Sequence, residues 1–317
     1  MPKILVCGAI NWDTMLFVDR LPNSGEEVRV IKVISVPGGK AANTAVAAVK
    51  ILGANSVGVI GMLGVDDIAE RHIKILQNEG IETSLIFRHE KMLSGQAYVI
   101  VDSKGEDVIL THQAANLAIR PEHVVRPEVL SAIDKSSTII VIDPPLDIAG
   151  SLMIYAKRTG KNVIWSPALL TKYGLSGLQR YMTHVDYLIL NQEEARSLTS
   201  MYNGLQACTE ISNSVNGRSI VVTLGDGGCV ICTDGKSMMI PAMHLASSDL
   251  KAVSTVGAGD TFVGAFGAFK LKGCEDFRAL YIANIAAALK TAREETRASP
   301  TYEEIKRHVD DYIMGSL

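Results

Sequence analysis

Short aliphatic and β-branched runs recur along the chain at residues 4–8, 57–61, 138–142, 162–165, 187–190 and 219–223, with helical periodicity between them. The clearest helices are predicted over 41–52, 68–79, 148–158 and 192–200. Such alternation predicts an α/β fold, a doubly wound, mostly parallel sheet with helices on both faces. Two early segments break the rhythm. Residues 28–36, and 81–112 with its alternating Ala97-Tyr98-Val99-Ile100-Val101-Asp102 and a turn at Ser103-Lys104-Gly105, read as hairpins without helices. They predict a small antiparallel β lid, formed by about residues 14–36 and 81–112, projecting from the main sheet. After Ser254 the strands stop, and helices are predicted over 257–271, 276–295 and 301–314. With no internal repeat and no low-complexity linker, residues 1–317 form one domain plus the lid.

Composition narrows the function classes. Hydrophobic residues at 47% with charged ones at 21% exclude disorder, a collagen-like repeat and a coiled-coil rod. Lys and Arg number 31 against 34 Asp and Glu, a net charge of −3, so there is no basic field to hold nucleic acid. The first apolar run is too short for a bilayer and meets Asn11 and Asp13 without a small-residue cleavage site, so neither membrane attachment nor export is expected. The five cysteines are odd in number and scattered, which fits a reducing cytoplasm rather than a disulfide scaffold. Cys229 and Cys232 form a CxxC, but in a strand-like run, where positions three apart face opposite sides.

The most informative stretch is Ser254-Thr255-Val256-Gly257-Ala258-Gly259-Asp260-Thr261-Phe262-Val263-Gly264-Ala265-Phe266. Gly257 and Gly259 let backbone approach a ligand, and the helix beginning here directs free N–H groups and its positive dipole end to that point. This is an anion hole of the kind a phosphoryl group in transfer needs, and Asp260, in the first turn, is placed to be the base for an acceptor alcohol. Taken alone, the same residues read equally well as a tight helix contact with Asp260 as a cap. No Walker A motif competes, because Val230 stands where the first glycine before Gly235-Lys236-Ser237 should be, and no GxGxxG follows the first strand.

Gly257-Ala258-Gly259-Asp260-Thr261-Phe262 resembles the C-terminal signature of the ribokinase-like, or PfkB, family of carbohydrate and nucleoside kinases. Pro37-Gly38-Gly39-Lys40-Ala41-Ala42-Asn43 resembles its N-terminal Gly-Gly signature. Further similar blocks are Gly8 with Asp13, Gly64-Val65-Asp66-Asp67, Asn191-Gln192-Glu193-Glu194-Ala195, Thr223-Leu224-Gly225-Asp226-Gly227-Gly228 and Ala283-Asn284, in family order over essentially the whole chain. The resemblance implies a ribokinase-like fold and an ATP-dependent, Mg²⁺-assisted kinase. Asp260 would be the base, with Gly257, Ala258 and Gly259 forming the anion hole. Asp13, Gly38, Gly39 and Asn43 would grip the sugar, and Lys40 would hold charge near the phosphate. Asp143, Gln96 and Tyr98 are further candidates for acceptor contact, although Asp143 also fits a plain turn and the lid pair plain strand pairing. Asn191 and Glu194, three apart on one helix face, would act on Mg²⁺ through water, or else cap the helix. Thr223, Gly225 and Gly228 would meet ATP, with Asn284 near the adenine.

Two departures from the family pattern stand out. Many relatives carry an acidic residue at the position of Ser254 and Thr at that of Val256, and the acidic residue helps hold a monovalent cation, so that ion is not expected to bind well here. The expected reaction is phosphorylation of a primary hydroxyl on a small sugar, ribose or a relative. A nucleoside is the alternative acceptor, a 2-keto-3-deoxy sugar acid is disfavoured by the lack of an evident arginine for its carboxylate, and a non-catalytic sugar- or nucleotide-binding regulator would have little use for Asp260. The lid's edges and open face lead to the expectation of a homodimer.

Overall fold

The computed structural model describes residues 2–105, 107–215, 217–243, 245 and 250–309. The chain opens with β1 (Ile4–Gly8), β2 (Asn11–Val18) and β3 (Val30–Gly38), then α1 (Lys40–Leu52), β4 (Val57–Gly64), α2 (Asp67–Asn78), β5 (Ile86–His89), β6 (Gly95–Val101) and β7 (Asp107–His112). Short helices α3 (Pro121–Val124) and α4 (Pro127–Lys135) lead to β8 (Thr138–Ile142), α5 (Leu146–Arg158), β9 (Asn162–Ser166), α6 (Gly174–Met182), β10 (Tyr187–Asn191), α7 (Gln192–Thr199) and α8 (Gly204–Ser214). Then follow β11 (Ser219–Thr223), β12 (Cys229–Thr233), β13 (Lys236–Ile240), α9 (Ala258–Leu271), α10 (Asp276–Thr291) and α11 (Tyr302–Lys306).

Nine strands form the main sheet in the order β13-β12-β11-β10-β9-β8-β1-β4-β5, parallel except for β12 and β13 at one edge. In β1 the period of two sends Ile4 and Val6 into one core cluster, with α1, α9 and α10, and Leu5 and Cys7 into the other, with α5. Burial on both faces is why these strands read as unbroken apolar runs. From β1 the chain builds the sheet outward through β4 and β5, then returns to the other side of β1 with β8. The crevice outside the carboxyl ends of β1 and β8 is therefore a topological switch point, where doubly wound sheets take their ligands.

The lid is a second sheet, ordered β3-β2-β6-β7, in which the antiparallel hairpins β2–β3 and β6–β7 are joined by a parallel pairing of β2 with β6. Two sequence expectations shift here. The hairpin partner of β3 is β2, whose residues follow directly on the apolar run of β1. The 81–89 part of the predicted lid instead places β5 on the edge of the main sheet beside β4. α10 stops at Thr291, short of the predicted 295, and the charged segment after it turns back toward the start of α9. The last predicted helix, 301–314, is shorter too: α11 ends at Lys306, and residues 310–314 lie outside the described residues. Cys229 and Cys232 fall in opposite core clusters, across the two faces of β12, as the strand period requires.

Candidate active site

β2 begins just beyond the switch point and carries Asp13, 5% exposed, to the base of the lid. Pairing with β3 sets Asn11 opposite Gly38 and Asp13 opposite Val36, which brings the Asp13 carboxylate against the Gly38 backbone. Burial pushes the Asp13 carboxyl up to about 6, while the Thr296 side chain nearby and the charge of Arg297 act the other way. Arg297 is itself buried. It donates through Nη2 to the Gly38 carbonyl at 2.8 Å and through Nε to Asn43 Oδ1 at 3.4 Å, and burial lowers its own pKa to about 10. This arginine, in the charged stretch after α10 that reads as a solvated helix end, was missed in the sequence. Only the turn that follows α10 brings it under the Gly38-Gly39 segment.

Helix α1 starts at Lys40, so Asn43 lies one turn in. Its Nδ2 donates to Asp260 Oδ2 at 2.8 Å, while the Thr44 hydroxyl donates to the Asp260 carbonyl at 3.3 Å. Asp260 is 8% exposed in the first turn of α9. The N-cap of that helix is Gly257 at φ 82°, where a Cβ would also lie 2.1 Å from the Thr296 carbonyl oxygen, so no other residue fits. No side chain caps the helix. The Ala258 N–H, expected to face a ligand, instead donates to the Thr255 carbonyl at 3.0 Å, because the tight turn into α9 closes on itself. Gly259 lines the neighbouring cavity.

That cavity, about 70 Å³, gathers Lys40, Asn191, Glu194, Thr223, Gly259 and Asp260. The charge of Asp260 holds the Lys40 ammonium above its usual range against the opposing effect of burial. Burial raises Glu194, and raises Asp143 to about 6 with Lys40 opposing. Asp143 stands at the end of β8 in the left-handed region, φ 57°, which an Asp tolerates better than most side chains. Asn191 and Glu194 form a reciprocal cap: the Glu194 N–H donates to Asn191 Oδ1 at 2.7 Å and the Asn191 N–H to Glu194 Oε2 at 3.0 Å. Their spacing thus serves the helix and also leaves a carboxylate on the cavity wall. Among the described residues no cluster of three His, Cys, Asp or Glu could cage a metal. One carboxylate and one amide nonetheless fit a hard cation that keeps its water and is held mainly by phosphate oxygens.

The remaining predicted residues divide. Thr223 ends β11 on the cavity wall, and the turn through Gly225 to Gly228 closes with the Leu224 N–H donating to the Gly228 carbonyl at 2.8 Å. Asn284 is buried and donates to the Pro241 carbonyl at 3.0 Å, so its amide ties α10 to the end of β13. Gln96 and Tyr98 do not join Asp13. Strand alternation puts Asp13, Ala97 and Val99 on the inner lid face and Gln96 and Tyr98 on the outer, where the Tyr98 hydroxyl donates to Gln96 Oε1 at 2.9 Å. In the loop before α9, Ser254 supplies a hydroxyl and no carboxylate. Its Oγ is buried without a hydrogen-bond partner among the described residues, Val256 packs toward the lid cluster of Met15, Val99 and Val101, and Lys290 donates to the Ser254 carbonyl at 3.1 Å.

Comparison with known proteins bears on the whole chain. The profile of the family described as "pfkB family carbohydrate kinase" matches residues 1–302. The chain is 32% identical over 271 residues to a ribokinase of Lactococcus lactis, covering 84% of this chain and 83% of that protein. It is 27% identical over 305 residues to an ATP-dependent ribose-1-phosphate kinase of Halopiger xanaduensis, covering 96% and 97%. The crystal structure of ribokinase from Thermotoga maritima superposes with a TM-score of 0.81 at 25% identity, over 97% of this chain and 99% of that one.

Proposed function

This chain belongs to the pfkB family of carbohydrate kinases, and from that premise we propose that it transfers the γ-phosphoryl group of ATP to a primary hydroxyl of a small sugar, ribose or a close relative. One observation carries the reading: Asp260, bonded to Asn43 of the opposing helix at 2.8 Å, shares a cavity with Lys40 and Gly259. A base, a fixed cation and a helix N-terminus therefore face one small space between the two ligand sides, as phosphoryl transfer demands.

In this reading the acceptor enters the crevice under the lid and is held by Asp13, the Gly38-Gly39 backbone and Asn43. Asp260 accepts the proton of the attacking hydroxyl while Asn43 fixes its carboxylate. Lys40 and the start of α9 at Gly259 stabilise charge that develops on the transferred group. ATP lies along the carboxyl ends of β10 and β11, against Asn191, Thr223 and Gly225. Mg²⁺ would neutralise phosphate oxygens, with Glu194 and Asn191 orienting its water shell.

A second reading, a nucleoside or another sugar substituted at the anomeric carbon, is favoured by one specific feature. A cleft of about 430 Å³ opens from Asp143 and is lined by Pro144, Pro145, Leu169, Tyr173 and Tyr181, large enough for a base. A sugar acid is not favoured, because the Asp13 carboxylate faces the same pocket and already receives the charge of the buried Arg297, even though Nη1 of that arginine has no hydrogen-bond partner among the described residues. A coupled ADP-release assay over pentoses, hexoses and nucleosides tests both readings. Turnover highest on free ribose or a close relative supports the first, turnover confined to nucleosides supports the second, and none on any acceptor removes both. The outer lid face carries Val33, Tyr98, Val108 and Leu110 exposed, Val33 and Val108 in one cross-strand row with Leu16 and Ile100 and Tyr98 paired with Leu110 in the next, which supports pairing with a second copy through the lid.

A further inference from the structure

Lys290 lies in the last turn of α10, and its side chain is wholly buried. A lysine at such a position ordinarily reaches the final carbonyls of its own helix or the solvent. This one crosses to another segment, and the hydrogen bond it makes among the described residues is to the Ser254 carbonyl at 3.1 Å. Burying an ammonium is costly unless an opposite charge or several dipoles receive it. The groups acting on it are Asp260 of α9, which favours its charge, and Arg293 beyond α10, which opposes it and is itself paired with Glu304 of α11 at 2.6 Å. Burial dominates and lowers Lys290 to about 8.

The place matters. The Val253 and Ser254 N–H groups donate to the Thr291 carbonyl at 2.7 and 3.0 Å, and the Thr255 carbonyl accepts from Ala258 at 3.0 Å, so the 253–257 segment is strung between the end of α10 and the start of α9. The ammonium fixes the peptide that joins these two anchor points. It also adds positive charge behind the helix terminus that faces the cavity. Ser254 offers no carboxylate and Val256 no side-chain oxygen to a metal ion there; the Ser254 Oγ is buried without a hydrogen-bond partner among the described residues, and the ammonium already lies against the Ser254 carbonyl.

We propose that the Lys290 ammonium is the resident cation of this loop, a positioning group that takes the place of a bound monovalent metal ion in shaping the anion hole. The proposal rests on the kinase reading above. It implies that the enzyme has no requirement for added K⁺.

The test compares wild type with Lys290→Ala and Lys290→Met at saturating Mg-ATP, in chlorides of potassium, ammonium, methylammonium and tetramethylammonium at equal ionic strength. Wild-type rates should agree within about tenfold across all four salts. Lys290→Ala should lose about 10- to 100-fold in kcat with little change in acceptor KM, and ammonium, methylammonium or K⁺ should restore at least about fivefold of it, whereas tetramethylammonium, too large for the vacated space, should not. Lys290→Met, which fills that space, should lose as much and recover nothing. A kcat for Lys290→Ala within threefold of wild type, equal recovery in tetramethylammonium, or strong K⁺ activation of wild type would overturn the proposal. Thermal unfolding without substrate supplies a readout independent of turnover: ammonium should stabilise Lys290→Ala selectively and leave wild type unchanged. If wild type phosphorylates no acceptor yet this selective stabilisation appears, the kinase reading fails while the resident cation stands. If unfolding shows no selectivity, the cation role fails. The wild-type pH profile separates positioning from simple packing: kcat should fall as pH rises through about 8 and the ammonium is lost, although stability should rise over the same range because a buried charge is relieved.

Discussion

A Cβ placed on Gly38 would lie 1.8 Å from Oδ2 of Asp13. The Asp13 carboxylate, which we propose holds the acceptor, is therefore seated on bare backbone, and Gly38→Ala must push it aside. A displacement near 1 Å at a positioning group costs on the order of 10²-fold. The variant should raise the acceptor KM by about 10- to 100-fold while the ATP KM changes less than threefold. Initial-rate kinetics with each substrate varied in turn would check this, and parallel changes in both constants would remove Asp13 from the acceptor pocket.

Asp260→Asn keeps shape and retains an oxygen for the Asn43 amide, but accepts no proton. Turnover should drop by on the order of 10² to 10⁴, the usual contribution of a general base. ATP binding, measured calorimetrically, should stay within about threefold. Turnover near the wild-type value would take Asp260 out of the chemistry.

Asp13→Asn should stabilise the protein even as it weakens acceptor binding. The carboxyl sits at about 6 in the folded state against an ordinary value of 3.8. Below pH 3.8 it is protonated in both states and contributes nothing either way. Between 3.8 and 6 only the unfolded chain ionises, so stability falls by about 1.4 kcal/mol per pH unit, and above 6 the full cost, about 2–3 kcal/mol, is present. The variant carries no such charge, so its advantage in urea unfolding should be small at pH 4 and approach that figure at pH 7. A difference independent of pH would refute the assignment.

Glu194→Ala should raise the Mg²⁺ concentration for half-maximal rate several-fold at fixed ATP. It also removes the cap partner of Asn191, which should cost about 0.5–2 kcal/mol of stability. Glu194→Gln separates the two effects, since its amide oxygen can still accept from the Asn191 N–H. A Mg²⁺ titration unchanged in both variants would place Glu194 outside the metal's reach.

If the outer lid face pairs with a second copy, Leu110→Asp should convert a dimer into a monomer in light scattering across the micromolar range, with the far-ultraviolet spectrum unchanged. A wild-type monomer at all concentrations would exclude the pairing.

The sequence by itself determined the layered α/β architecture. Strands buried on both faces must be apolar throughout, so β1, β8 and β11 announce themselves, and a helix N-terminus with glycines and an early carboxylate marks α9. The motif residues Asp13, Lys40, Asn43, Asn191, Glu194 and Asp260 were singled out in the sequence because they stand in short contiguous blocks that resemble the family pattern, and the fold brings Lys40, Asn191, Glu194 and Asp260 to one cavity. Contacts between segments distant in sequence were decided only by tertiary structure. The orientation of Gln96 and Tyr98 depended on which face of β6 turns inward, a choice set by pairing with β2 rather than by either strand alone. Arg297 and Lys290 looked like ordinary charges near a helix end. They became buried partners of Gly38 and Ser254 because α10 ends at Thr291 and the chain folds back, a long-range packing event with no periodic trace in the residues that carry it.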